Sequence, residues 1–153
     1  MTRTNEMHVT EIWDYEPKTR LELPLYQVRI SAGFPSPAED NIDKHLDLNE
    51  FLIAHPAATY FVRVEGDSMI EAGIQSGDIL IVDWSLQPKS GDVVIAMING
   101  EFVVKTFHCQ PDNKKCFLLA GNPKYPPIEI TDNMDLEVRG VVTSGLHIFR
   151  KTK

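Results

Sequence analysis

Two residues of this 153-residue chain have chemistry that does not match their surroundings. The first is Ser68, in Val64-Glu65-Gly66-Asp67-Ser68-Met69-Ile70. A strand is expected to end at Gly66, with a small hydroxyl residue just beyond it. Backbone N–H groups of Asp67 and Ser68 could then point at a common spot and form an oxyanion site. The competing reading is a capping Ser or Asp that opens a short helix from Met69 to Ala72, closed by Gly73. The nucleophile elbow of α/β-hydrolases needs a glycine two residues after the serine, where Ile70 stands, so that fold is excluded. The second residue is Lys105, inside Phe102-Val103-Val104-Lys105-Thr106-Phe107. In a strand Val103, Lys105 and Phe107 share a face. Apolar neighbours strip solvation from an amine and favour its neutral, basic form. The competing reading is an edge-strand lysine that reaches outward and guards against aggregation. A serine needs an adjacent base to become a nucleophile, and Ser–Lys is one known solution. Periodicity alone does not say whether the two meet.

Other candidate chemistry is weaker. His8, His45, His55, His108 and His147 form no i, i+4 pair. His108 could serve a serine, against the plainer reading of a strand-end histidine. Cys109 and Cys116 bracket the turn-rich Gln110-Pro111-Asp112-Asn113-Lys114-Lys115, so they are expected to face each other across a hairpin, as thiols. A zinc site would need two more ligands at recognisable spacing, so no metal is expected. There is no glycine-rich phosphate loop, and no cofactor is expected.

The elements that must position Ser68 and Lys105 are strands. Residues 60–64, 79–82, 92–98, 102–107, 116–120 and 136–142 are β-rich runs bounded by Gly, Pro, Asn or Asp. Asn99-Gly100 between two of them is a two-residue hairpin signal. With no alternating helices, the fold class is mainly β: a compact β domain with an extended N-terminal arm and a short helix. Upstream, Leu21–Leu23 and Leu25–Ile30 alternate with a strand-like period of two. Ser31-Ala32-Gly33-Phe34-Pro35-Ser36-Pro37 reads as an extended, accessible linker. A helix is expected within Asn41–His55, because residues 42, 46, 49 and 53 share a face.

Composition narrows the function classes. The formal net charge is −7, and neither half of the chain is basic, which argues against a phosphate-tracking nucleic-acid binder. No apolar run approaches the roughly 20 residues that cross a bilayer, and no secretory signal opens the chain, so a cytoplasmic protein is expected.

Read in order, Gly33-Phe34-Pro35-Ser36-Pro37-Ala38, Leu46-Asp47-Leu48-Asn49, His55–Phe61, Gly66-Asp67-Ser68-Met69, Gly77–Asp83, Gly91–Ala96 and Gly100–Lys105 closely resemble the UmuD family. These are relatives of the LexA-type self-cleaving serine peptidases, and the resemblance runs from about Gly33 to Val142. It implies a LexA/signal-peptidase-like β domain, with Ser68 as nucleophile and Lys105 as general base. The bond cut is implied between Ala32 and Gly33, dividing a cleavable arm, 1–32, from a peptidase domain, 33–153. The cut precedes the nucleophile by 35 residues, and tethering of that kind supplies an effective concentration of order mM. The resemblance also implies a homodimer, stimulation by a RecA–single-stranded-DNA filament, and assembly with a Y-family (UmuC-like) polymerase subunit for error-prone translesion synthesis in the SOS response. Direct nucleic-acid binding is expected to be slight. Residues 1–32 are longer than the leader of familiar members and match it poorly.

The alternative is a repressor-type sensor and dimerisation module. Such proteins carry a helix-turn-helix domain before the linker, and 32 residues broken by Pro17 and Pro24 are too few for one. A structural module with a dead site would not need both Ser68 and Lys105. A signal peptidase would share the dyad but needs a membrane anchor.

Overall fold

The computed structural model describes residues 6–15, 22–26 and 42–150. Two compact units divide the chain: Glu16–Pro56, and Met1–Tyr15 together with Ala57–Lys153. The expected linker at 31–37 and the Ala32–Gly33 bond lie outside the described residues.

The larger unit is a closed sheet. Its strands are β1 (His8–Asp14), β4 (Thr59–Glu65), β5 (Ile79–Asp83), β6 (Val93–Ile98), β7 (Glu101–Cys109), β8 (Cys116–Leu119), β9 (Ile128–Glu129) and β10 (Leu136–Leu146). Spatial order is β1-β4-β5-β10-β6-β7-β8-β9, and a further pairing of β1 with β7 closes the first six into a barrel. All pairings are antiparallel, as expected of short strands joined by turns. Asn99 and Gly100, at φ 49° and 82°, make the tight turn between β6 and β7. Closure removes two sheet edges and encloses a core of Met7, Val62, Val64, Leu80, Val82, Ile95 and Val104. A second cluster lies on the opposite face of β6 and β7, where Val94, Ala96 and Val103 meet Leu118 and Val141. β10 bridges both halves of the barrel, and its Gly140 permits the close approach. A Cβ there would sit 2.5 Å from Val82 Cγ1, and the residue adopts φ 153°.

The unit 16–56 contains β2 (Glu22–Tyr26) and β3 (Ile42–Asp47), paired antiparallel, and α1 (Leu48–Leu52). The Asp47 carboxylate accepts the Asn49 and Glu50 N–H groups and caps α1. The helix expected across 41–55 is therefore corrected: its first half is a strand. Residues 42–47 find a ladder partner in β2, and tertiary pairing overrides a helical spacing of apolar residues. Among the described residues no helix is long and apolar enough to cross a membrane.

The second correction concerns Cys109 and Cys116, which form a disulfide instead of remaining thiols. They are directly opposed on β7 and β8, and Gln110 N–H donates to Lys115 C=O one step nearer the turn. That makes the cysteines a non-hydrogen-bonded pair, the register in which opposed side chains come closest.

Candidate active site

Ser68 stands in the turn that follows β4. The end of β4 is held by Val64, whose N–H donates to Asp78 C=O and whose C=O accepts the Gly77 N–H. Gly66, at φ 118°, then reverses the chain, and its N–H donates to Ser76 Oγ. Met69 is fully buried and anchors the far side of the turn, where its C=O accepts from Ala72 and Ile74. A single 3-10 turn at Ile70–Ala72 follows and ends at left-handed Gly73. The capping alternative fails here: Met69 occupies the N-cap position, and no side chain caps the turn. Ser68 is buried, at 0% exposure, and its Oγ accepts a 2.7 Å hydrogen bond from the Met7 N–H.

Lys105 lies in the middle of β7, 1% exposed, between Val104 and Thr106 and paired with buried Val94 on β6. The edge-lysine alternative fails too, because β7 has β6 on one side and β8 and β1 on the other. The Lys105 ammonium forms an ion pair with the Glu6 carboxylate and sits 6.0 Å from the centre of the Tyr125 ring. Glu6 keeps a partly exposed side chain, so the pair is buried at its amine and reaches solvent at its carboxylate.

Ser68 and Lys105 therefore each meet one of two consecutive residues of a single extended segment, Met7 and Glu6. His108 goes elsewhere: its Nδ1 is 3.2 Å from Ser90 Oγ, at the exposed end of β7. His147 pairs with Asp78 at 2.6 Å, also away from Ser68. Among the described residues no group of three His, Cys, Asp or Glu side chains could hold a metal ion.

Four supporting residues carry no signal in the sequence. Glu6 and Met7 fall in a polar, patternless stretch. Tyr125 donates its hydroxyl to Asp67 Oδ1 at 3.3 Å, linking the serine turn to the roof over Lys105. Gly121 packs flat on the serine turn: its N–H meets Met69 Sδ, its C=O accepts the Glu71 N–H, and a Cβ would lie 3.1 Å from Met69 Cα. A Gly-Asn-Pro turn signal marks that loop in the sequence, yet nothing local states what it packs against.

A model of the family described as Peptidase S24-like matches residues 24–143. Protein ImpA of Escherichia coli is 52% identical over 136 residues, covering 85% of this chain and 87% of its own. Protein SamA of Salmonella typhimurium is 46% identical over 129 residues, covering 84% and 88% respectively. LexA repressor 1 of Pseudomonas putida is 38% identical over 120 residues, which cover 78% of this chain but 56% of that protein.

Proposed function

The chain belongs to the Peptidase S24-like family, and we propose that it is a UmuD-type serine peptidase that cuts its own Ala32–Gly33 bond. Ser68 Oγ attacks the Ala32 carbonyl carbon while a neutral Lys105 amine takes the hydroxyl proton. The backbone N–H groups of Asp67 and Ser68 hold the oxygen as it becomes an anion. The Lys105 ammonium then returns the proton to the departing Gly33 nitrogen. Water hydrolyses the Ala32 ester, with the same amine as base. A glycine after the cut admits close backbone approach, and alanine before it suits a shallow pocket.

One observation supports this reading above the others: a lysine 1% exposed and a serine 0% exposed are held by consecutive residues of one segment, Glu6 and Met7. Lysine is almost never fully buried unless it is paired, as Lys105 is with Glu6, because burying an ammonium is costly. The product, residues 33–153, would act as a homodimer in the cytoplasm. It would serve a Y-family, UmuC-like polymerase subunit in error-prone synthesis, with a RecA–single-stranded-DNA filament promoting the cut. An acidic chain suits nucleic-acid contact made through such partners.

Incubation of the purified chain at alkaline pH without partners should yield a fragment whose mass begins at Gly33. The rate should climb from neutral to alkaline pH, because only an uncharged amine can accept the serine proton. Ser68→Ala and Lys105→Ala should each leave the chain intact. A fragment starting at Gly33 from either variant would sink the assignment.

A further inference from the structure

We propose that residues Glu6–His8 are a resident ligand of the catalytic cleft, a built-in competitor that holds the peptidase off until it is displaced. The proposal rests on the peptidase reading above and adds what fills the cleft. Four contacts on three consecutive residues carry it. His8 pairs with Val103, and Met7 C=O accepts the Val104 N–H at 3.1 Å, so this segment adds to β7 as an antiparallel strand. Strand addition is a general way for a peptide to dock on a sheet. Met7 is fully buried within the barrel core, and its N–H donates to Ser68 Oγ. The Glu6 carboxylate pairs with the Lys105 ammonium.

The same contacts explain why this segment blocks the cleft without being cut there. An N–H that points at Oγ puts that oxygen near the plane of the Glu6–Met7 peptide group. Attack on a carbonyl carbon comes instead from above that plane. An amine held as an ammonium in an ion pair has no lone pair with which to take the serine proton. The titratable groups near Lys105 are Glu6 from the N-terminal segment, Tyr125 from the loop after β8, and Asp67 through the Tyr125 hydroxyl. Of these, Glu6 alone makes an ion pair with the amine among the described residues. The cleft is thus a binding site for an extended peptide with an acidic residue followed by an unbranched apolar one. The Ala32–Gly33 segment must displace that peptide before it reaches Ser68.

Glu6→Gln in the full chain keeps the shape and removes the charge. It should raise the rate of appearance of the Gly33 fragment at neutral pH about tenfold. A synthetic peptide spanning Asn5–Thr10 should slow this variant, and the same peptide with Gln in place of Glu should not. An unchanged or lower rate in Glu6→Gln would overturn the proposal while leaving the peptidase reading intact. A second readout needs no self-cleavage: labelling of Ser68 by a fluorophosphonate at neutral pH. Glu6→Gln should label several-fold faster than the parent, and equal labelling would overturn the competitor. If neither chain yields a Gly33 fragment at any alkaline pH, the peptidase reading fails, and the labelling ratio still decides whether residues 6–8 cover Ser68.

Discussion

The two halves of β7 obey different rules. Val103, Val104 and Lys105 are buried, whereas Thr106 to Cys109 run out to partial or full exposure. Each half carries a basic or titratable side chain beside apolar residues, Lys105 after Val103 and Val104 and His108 after Phe107, so residue type by itself does not separate them. What differs is the neighbours. The first half has β6 on one side, the N-terminal segment on the other, and Ser68 within reach through Met7. The second half has β8 and a hairpin tied by a disulfide. A lysine in the first half is deprived of water and pairs with Glu6. A histidine three residues on meets a surface serine. Position along a strand thus counts for less than what closes over it.

The largest test of this contrast is Lys105→Met. Self-cleavage should fall by about 10³-fold, within the range general acid–base groups supply, as measured by the rate of the Gly33 fragment. Stability to urea should hold or rise, since Met fills a similar volume without the cost of burying an ammonium, and the partly exposed Glu6 carboxylate left behind can meet water. A large loss of stability would mean that the buried lysine holds the barrel together rather than acting in chemistry.

Val104→Ala, in the same half but pointing into the barrel core, should cost about 2 kcal/mol in urea unfolding through the cavity it leaves. The paired change Cys109→Ser with Cys116→Ser, in the far half, should cost less, about 1 kcal/mol. Its loop is short, the sequence separation being only 7 residues, and the β7–β8 ladder already closes it. Its cleavage rate should match the parent with or without reductant; a changed rate would show that the two halves are coupled.

The smallest effect concerns Tyr60 on β4, whose hydroxyl donates to the Arg139 C=O at 2.9 Å. Burial pushes its phenol up to about 12, opposed in part by the Arg139 guanidinium. The folded state therefore favours the protonated phenol. The stability this contributes is whole below the ordinary value of 10 and is lost as pH rises through about 12. Tyr60→Phe should flatten that part of the stability–pH curve in thermal melts, at a modest cost from the unpaired carbonyl.

Much of the scaffold was legible in the residues. β4 to β8 and β10 fall on runs that alternate or cluster β-branched side chains, and Asn99-Gly100 marks the turn that sends β7 back beside β6. β1 escaped notice because its register shifts between Val9 and Glu11, and such a bulge breaks the period of two on which strands are recognised. The helix expected over 41–55 shrank to Leu48–Leu52 because residues 42–47 met a partner strand. Ser68 and Lys105 were visible as misfits in their surroundings and, with the motifs around them, as a family likeness. Tyr125, Gly121, Glu6 and Met7 were not, since their importance lies in what they touch.

The chain by itself determined its strands, its turns and the two residues whose chemistry is out of place, because backbone preference and alternation are local and can be read along a few residues. Only the tertiary structure decided that Lys105 is dry and that Glu6 and Met7 stand on Lys105 and Ser68. Burial is a property of all the elements that surround a residue. The contact that closes the barrel joins His8 to Val103, two positions that no local pattern relates.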